Sequence, residues 1–205
     1  EDPLKYYNNN IGGLVNLLEE MMHYNIHRFV FSSSCTVYGE PDHTPVDENT
    51  PIAKAASPYG NTKKIAEEII HDVSAKHMLM ACSLRYFNPV GAHESALIGE
   101  LPLGVPNNLV PYITQTAAGI RDHLTVFGDN YNTTDGTCIR DYIHVMDLAA
   151  AHVKAIDYLR EQDDPVSYFN IGTGKGSSVL EVIAAFEEVS GKKLPYEIGP
   201  RRSGD

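Results

Sequence analysis

Tyr59 and Lys63 stand four residues apart in Ser57-Pro58-Tyr59-Gly60-Asn61-Thr62-Lys63, and Ser34 closes the earlier run Phe29-Val30-Phe31-Ser32-Ser33-Ser34. On a helix an i,i+4 pair shares one face, so the phenol and the ammonium can act on the same small molecule. Ser57 suits the N-cap of such a helix, and Pro58 suits its first turn. A phenol is a poor base at its ordinary pKa of about 10, and bringing it to about 7 takes roughly 4 kcal/mol in favour of phenolate. A lysine alongside is a direct way to supply that preference. A seryl hydroxyl at the mouth of an apolar strand can relay or hold a proton. Base, tuner and hydroxyl together suit removal of an alcohol proton while a hydride leaves the same carbon. Tyr-x-x-x-Lys alone is more often a plain helix pair. The Ser-rich strand end before it and the run Met80-Ala81-Cys82-Ser83-Leu84-Arg85 after it lift it above that.

The elements that must position these groups follow from periodicity. Leu14, Val15, Leu17, Leu18, Met21 and Met22 recur at helical spacing, with Asn25 able to end the helix. Arg28 to Ser33 reads as a short buried strand, residues 40–56 as a loop, Pro58 to about Lys76 as a helix and Met80 to Arg85 as a strand. After Gly91 several prolines punctuate a loop-rich stretch, followed by a helix from about Asn108 to Ile120. Leu124 to Phe127 and Cys138 to Ile143 read as strands, Asp147 to about Leu159 as a helix and Ser167 to Ile171 as a strand. Ser177 or Ser178 caps a last helix to Ser190. Strand alternating with helix predicts an α/β, Rossmann-like doubly wound parallel sheet with a smaller α/β lobe. The expected division assigns 1–91 and 146–172 to the sheet domain and 92–145 and 173–205 to the lobe.

Composition narrows the classes. Sixteen basic and 27 acidic residues leave a formal charge of −11, which argues against broad nucleic-acid binding and makes Arg140, Arg201 and Arg202 notable for any anionic ligand. No apolar run reaches the roughly 20 residues of a membrane span. Cys35, Cys82 and Cys138 lack Cys-x-x-Cys spacing, which fits a reducing cytoplasm and argues against structural zinc. Asp129-Asn130-Tyr131-Asn132-Thr133-Thr134-Asp135-Gly136 resembles a calcium loop only superficially, since its third and fifth positions are Tyr131 and Thr133. No metal is expected. Gly172-Thr173-Gly174-Lys175-Gly176 invites a dinucleotide reading, but Ser177 stands where the third glycine of Gly-x-Gly-x-x-Gly belongs, so a tight turn is the better account.

Together with Ser34, Tyr59 and Lys63, four further segments carry a likeness in order. They are Arg85-Tyr86-Phe87-Asn88-Pro89-Val90-Gly91-Ala92-His93, Pro106-Asn107-Asn108-Leu109, Arg140-Asp141-Tyr142-Ile143-His144-Val145-Met146-Asp147 and Arg201-Arg202-Ser203-Gly204-Asp205. Over essentially the whole chain the sequence resembles the UDP-glucose (UDP-galactose) 4-epimerases, a branch of the extended short-chain dehydrogenase/reductase family. The resemblance implies interconversion of UDP-glucose and UDP-galactose through a 4-keto sugar, with NAD as a tightly bound cofactor and no net redox change. It makes Tyr59 the base for the sugar 4-hydroxyl, Lys63 its tuner and a ribose contact, and Ser34 the hydroxyl that assists, with Thr36 beside it. Asn9, Ser34, Tyr59, Lys63 and Phe87 match cofactor contacts. Ser34, Thr36, Tyr86, Phe87 and Asn88 match the substrate-facing segments. Asn107, Asn108 and Leu109 open a helix, where amides and dipole favour a diphosphate. Thr125, Val126 and Phe127 match the uridine site, Arg140 and Arg202 suit phosphate, and Asp205 suits a ribose hydroxyl. The resemblance also implies a homodimer for the full-length protein.

The family's Gly-rich cofactor loop lies at its extreme N-terminus, whereas this chain opens at Glu1-Asp2-Pro3 before a helix and stops at Asp205. The expectation is therefore an internal, N-terminally truncated piece. Two rivals stand beside the epimerase: another NAD-dependent nucleotide-sugar epimerase or dehydratase of the same fold, and a catalytically silent nucleotide-sugar-binding protein. A dehydratase needs an extra acid, and Ser34-Cys35-Thr36 offers no carboxylate. Intact Ser34, Tyr59 and Lys63 argue against the silent protein.

Overall fold

A computed structural model describes residues 2–202 of the chain. In chain order, α1 (Pro3–Tyr6), a π-helical turn (Tyr7–Gly12) and α2 (Gly13–His23) lead into β1 (Arg28–Ser32), a 3-10 turn (Cys35–Tyr38), α3 (Pro58–His77) and β2 (Met80–Tyr86). There follow β3 (Asn88–Val90), α4 (Leu109–Ala117), β4 (Leu124–Phe127) and β5 (Ile139–His144). The described elements end with α5 (Val145–Glu161), β6 (Val166–Ile171), β7 (Gly176–Ser178), α6 (Val179–Ser190) and β8 (Tyr196–Gly199). Two compact units result: the chain as far as Phe87 together with Asp147–Ile171, and Asn88–Met146 together with the chain from Gly172 on.

The first unit holds a parallel sheet in the order β1-β2-β6, with Val30 opposite Cys82 and Cys82 opposite Ser167. Successive strand residues point to opposite faces, and β2 uses both. Ala81 joins Leu14, Leu18 and Met21 of α2 and Ala66 and Ile70 of α3 in one apolar cluster. Cys82 and Leu84 join Ala155 and Leu159 of α5 in another. Helices covering both faces of a parallel sheet make the doubly wound α/β fold expected above. Leu14, Leu18 and Met21 form the buried stripe of α2, and Asn25, at φ 55°, turns the chain out of it. Burying a side chain such as Ile70 completely contributes about 1.5–3 kcal/mol.

In the second unit α4 and α6 pack on a two-stranded parallel ribbon of β4 and β8. Ile113, Leu124, Val126, Ile183 and Leu194 form its core. A separate sheet runs β3-β5-β7, with β3 parallel and β7 antiparallel to β5. A capping box starts α6, Ser178 accepting from the Glu181 amide while the Glu181 carboxylate accepts from the Ser178 amide, and Gly191 at φ 67° ends it. The strands β3, β7 and β8 have no counterpart in the sequence reading. Each is three or four residues long and is defined by a partner distant in the chain, so local periodicity does not mark it. α4 stops at Ala117, short of the expected Ile120, because Gly119 takes φ 73°.

Candidate active site

At the C-terminal end of β1 the chain leaves the sheet, and Ser34 caps the 3-10 turn that follows. Its buried Oγ accepts from the Thr36 amide at 3.3 Å and the Thr36 hydroxyl at 3.0 Å. With both contacts used for accepting, the Ser34 proton remains to be donated, and the Ser34 hydroxyl favours the ionised form of the Tyr59 phenol. Tyr59 sits in the first turn of α3, whose N-cap Ser57 accepts from the Gly60 amide at 3.1 Å. Gly60 brings that turn close: a Cβ there would lie 3.2 Å from the Thr36 carbonyl oxygen and 3.3 Å from the Thr36 Cβ. A larger residue there would need the turn to give by a few tenths of an ångström.

One helical turn on, Lys63 donates from Nζ to the Ser32 carbonyl at 2.7 Å. Its ammonium lies 5.7 Å from the Tyr59 ring centroid and 5.0 Å from that of Phe31. Burial pushes the Tyr59 phenol above its ordinary pKa and the nearby Tyr86 adds to this, while the Ser34 hydroxyl pulls it down and Cys35 and Tyr6 oppose that pull. Burial likewise lowers Lys63. The tuning expected of Lys63 therefore does not outweigh burial in this state of the protein, where both groups are desolvated.

The structure gathers Ser34, Thr36, Tyr59, Lys63 and Tyr86 in the first unit. Asn9 is exposed on the π-helical turn, which is tied to α3 by Asn10 donating to Thr62 Oγ1 at 2.9 Å and by Asn61 donating to Tyr7. Phe87 follows β2, its amide donating to the Ile171 carbonyl at 3.1 Å. Residues missed in the sequence also appear here. His152 of α5 has Nδ1 at 2.8 Å from the Leu148 carbonyl, so that nitrogen carries the proton and Nε2 accepts from Ser32 Oγ at 3.0 Å. Ser32, which Lys63 also uses, is thus gripped at both side chain and carbonyl. A histidine one helical turn beyond Leu148 on a strongly amphipathic helix gave no signal for this.

In the second unit Asn107, Phe127 and Arg202 come together. Arg202 donates from Nη1 to the Asn107 carbonyl at 3.2 Å, and its guanidinium lies 5.2 Å from the Phe127 ring centroid. Asn108 has the backbone of a helix N-cap, but its side chain donates to Glu100 instead. Leu109 turns into the core beside Ile113. Along β4 burial alternates, so Thr125 and Phe127 share the outer face while Val126 is buried in the core with Leu124. Of Val126 only the backbone can meet a ligand. Asn88 donates to the Asp141 carbonyl at 2.9 Å, and Arg140 lies on β5, donating to the Ile139 carbonyl. Asp205 lies outside the described residues.

The Gly172–Gly176 turn already holds an anion of the protein itself. The Asp141 carboxylate accepts from the Thr173 and Gly174 amides at 2.8 to 3.0 Å and from the Thr173 hydroxyl at 2.6 Å. Amides aimed at an internal carboxylate are not offered to a cofactor phosphate. Asp135, in the loop that superficially resembles a calcium site, likewise accepts from the Thr137 amide and hydroxyl and from the Ser178 hydroxyl. Among the described residues no cluster of His, Cys, Asp and Glu could hold a metal ion, and no helix is long and apolar enough to cross a membrane.

Residues 1–172 match the NAD dependent epimerase/dehydratase family, and the chain belongs to it. It is 54% identical over 208 residues to UDP-glucose 4-epimerase uge1 of Schizosaccharomyces pombe, covering 99% of this chain and 58% of that protein. It is 56% identical over 206 residues to UDP-glucose 4-epimerase 2 of Arabidopsis thaliana, covering 100% and 59%. Its fold matches that of a UDP-glucose-4-epimerase from Stenotrophomonas maltophila with bound NAD and formylated UDP-arabinopyranose, with TM-score 0.95 and 52% identity over 99% of this chain and 60% of that one. The chain thus spans about 60% of the length of the proteins it is similar to.

Proposed function

We propose that the protein interconverts UDP-glucose and UDP-galactose by epimerisation at C4 of the hexose, with NAD as a bound cofactor. The observation that carries this reading is the placement of Ser34 and Tyr59 together at the C-terminal end of a parallel strand, the Tyr59 turn of α3 packed against Thr36, with Lys63 one turn further along the same helix. Parallel sheets of this kind take their ligands at the carboxyl ends of their strands. Relatives and neighbours named as UDP-glucose 4-epimerases, among them structures with NAD and with UDP, support it.

The residues present fit the nicotinamide end of NAD. An ammonium has three donors, of which Lys63 gives one to the Ser32 carbonyl, leaving others for ribose hydroxyls. Asn9 and Phe87 flank the same unit and are assigned to the cofactor as well. When bound, NAD supplies a two-electron hydride acceptor that can return the hydride, and a positive ring charge that favours phenolate. Tyr59 then takes the proton of the sugar 4-hydroxyl and gives it back after the 4-keto sugar has turned its other face. Ser34, whose lone pairs accept from Thr36, has its proton to offer the phenol oxygen or the sugar hydroxyl. Tyr86 and Thr36 border this point, and Asn88 belongs to the same substrate-facing segment. Arg202, Asn107, Phe127 and Thr125 hold the uridine diphosphate, with Arg140, Asn108, Leu109, the Val126 backbone and Asp205 assigned to the same ligand. Charge-assisted contacts from arginine compensate for the net acidity of the chain.

The reading extends to a homodimer and to the cytoplasm, in keeping with Cys35, Cys82 and Cys138 forming no disulfide. In the full-length protein, Tyr59→Phe is expected to lower turnover at least about a hundredfold, the range of a lost general base, while UDP affinity stays within about twofold. Turnover within about tenfold of the parent would remove Tyr59 from the role of base.

A further inference from the structure

Beneath the candidate site lies an ion pair that the proton chemistry does not use. Glu67 of α3 and Arg85 of β2 are both almost fully buried and meet in a two-pronged contact, Arg85 Nε donating to Glu67 Oε1 at 3.0 Å and Nη2 to Oε2 at 2.7 Å. Two hydroxyls complete it. Ser33 donates to Glu67 Oε1 at 2.6 Å, and the Tyr38 oxygen accepts from Arg85 Nη1 at 3.0 Å while donating to Asn170 Oδ1 at 2.7 Å. The guanidinium also lies 4.5 Å from the Tyr168 ring centroid and 5.1 Å from that of Tyr38. Burial works against the Arg85 charge, but the Glu67 carboxylate and the Tyr38 hydroxyl outweigh it and hold the arginine protonated.

The placement of the two hydroxyls is what matters. Ser33 immediately precedes the 3-10 turn's cap, Ser34, and Tyr38 is the turn's last residue. The segment carrying Ser34 and Thr36 is therefore tied at both ends to one ion pair. Glu67 belongs to the same helix as Tyr59, two turns further on. One carboxylate thus links the helix that presents the phenol to the turn that presents the hydroxyl. A buried ion pair is weak evidence for stability, since desolvation often cancels the attraction.

We propose that the Glu67–Arg85 pair is a positioning device that holds the Ser34 turn in register with Tyr59 for proton transfer, an inference that rests on the epimerase reading. Serine, tyrosine and carboxylate here act through other groups and touch no substrate. Reacting groups displaced by about 1 Å cost turnover heavily, whereas ligand affinity supplied by the other unit has no reason to change.

The test compares Ser33→Ala and Tyr38→Phe with Ser74→Ala in the full-length protein, measuring turnover per UDP-binding site. Ser33→Ala leaves both Glu67 oxygens paired with Arg85, so it cuts one tie without orphaning the charge. Ser74→Ala removes another buried hydroxyl, on α3, that has no hydrogen-bond partner and no part in the clamp. Ser33→Ala and Tyr38→Phe are expected to lower turnover at least about tenfold, with UDP affinity within about twofold and Ser74→Ala like the parent. If Ser33→Ala yields no UDP-binding protein, Tyr38→Phe decides alone. Turnover within about twofold of the parent in the variants that bind UDP overturns the positioning role, as does an equal loss in Ser74→Ala. Tyr59→Phe assayed alongside separates the two claims: its retention of turnover would overturn the epimerase reading, and its loss with Ser33→Ala and Tyr38→Phe unaffected would overturn only the clamp.

Discussion

The phenol proposed as the base, Tyr59, sits where burial favours its neutral form. The Ser34 hydroxyl is the one neighbour that pulls the other way, since Tyr86, Cys35 and Tyr6 all add to the effect of burial. Because the folded protein holds the Tyr59 proton more tightly than an unfolded chain would, the stability this contributes is present below the ordinary tyrosine pKa of about 10 and is lost as pH rises through the higher folded value. A tyrosine ring-carbon NMR titration of the ligand-free protein should therefore show one resonance, missing in Tyr59→Phe, with its midpoint above 10. A midpoint below 10 would mean that Lys63 already governs the phenol without a cofactor. Residue type and spacing made the trio Ser34, Tyr59 and Lys63 legible, because helix geometry alone fixes an i,i+4 pair. That Lys63 is committed to the Ser32 carbonyl was not legible, since nothing in the chain says which backbone oxygen a flexible ammonium finds.

At the scale of elements, α3 is the part on which the candidate site depends. Its start was readable, Ser57 capping and Pro58 opening it as expected, and so was its end, with Lys76 and His77 in the last turn and Met78 at φ 54°. Ser57→Ala removes the acceptor for the Gly60 amide and is expected to lower stability by about 1 kcal/mol. Chemical denaturation compared with a surface substitution such as Asp72→Ala checks it, and an unchanged midpoint would show that the cap contributes nothing to the fold. The strands of the first unit were legible because five- to seven-residue apolar runs between helices have few other readings. In the second unit β3, β7 and β8 are too short for that, and their identity lies in pairings across the chain. The same limit hid Glu67 and Arg85. A charged residue in the apolar strand Met80–Tyr86 signals a buried partner, but only the fold says that the partner is on α3.

For the whole molecule, the proposed function requires an acidic chain to bind a diphosphate through few donors. Arg202 is the arginine set beside the Phe127 ring and the Asn107 carbonyl, whereas Arg201 donates to Asn130 and lies 4.0 Å from the Tyr131 ring centroid. Arg202→Ala should weaken UDP binding at least about tenfold, in line with the 1.5–3 kcal/mol of a charge-assisted contact. Titration calorimetry at fixed ionic strength measures this, and unchanged affinity would place the diphosphate elsewhere. The central claim is that the carbon–hydrogen bond at C4 is broken as hydride and remade within one bound state, while Tyr59 handles only the hydroxyl proton. UDP-galactose carrying deuterium at C4, converted by the full-length protein in ordinary water, tests it most directly. The account predicts UDP-glucose as product with the deuterium still at C4. Replacement of that deuterium by solvent hydrogen, or failure of the intact protein to form UDP-glucose, would contradict it.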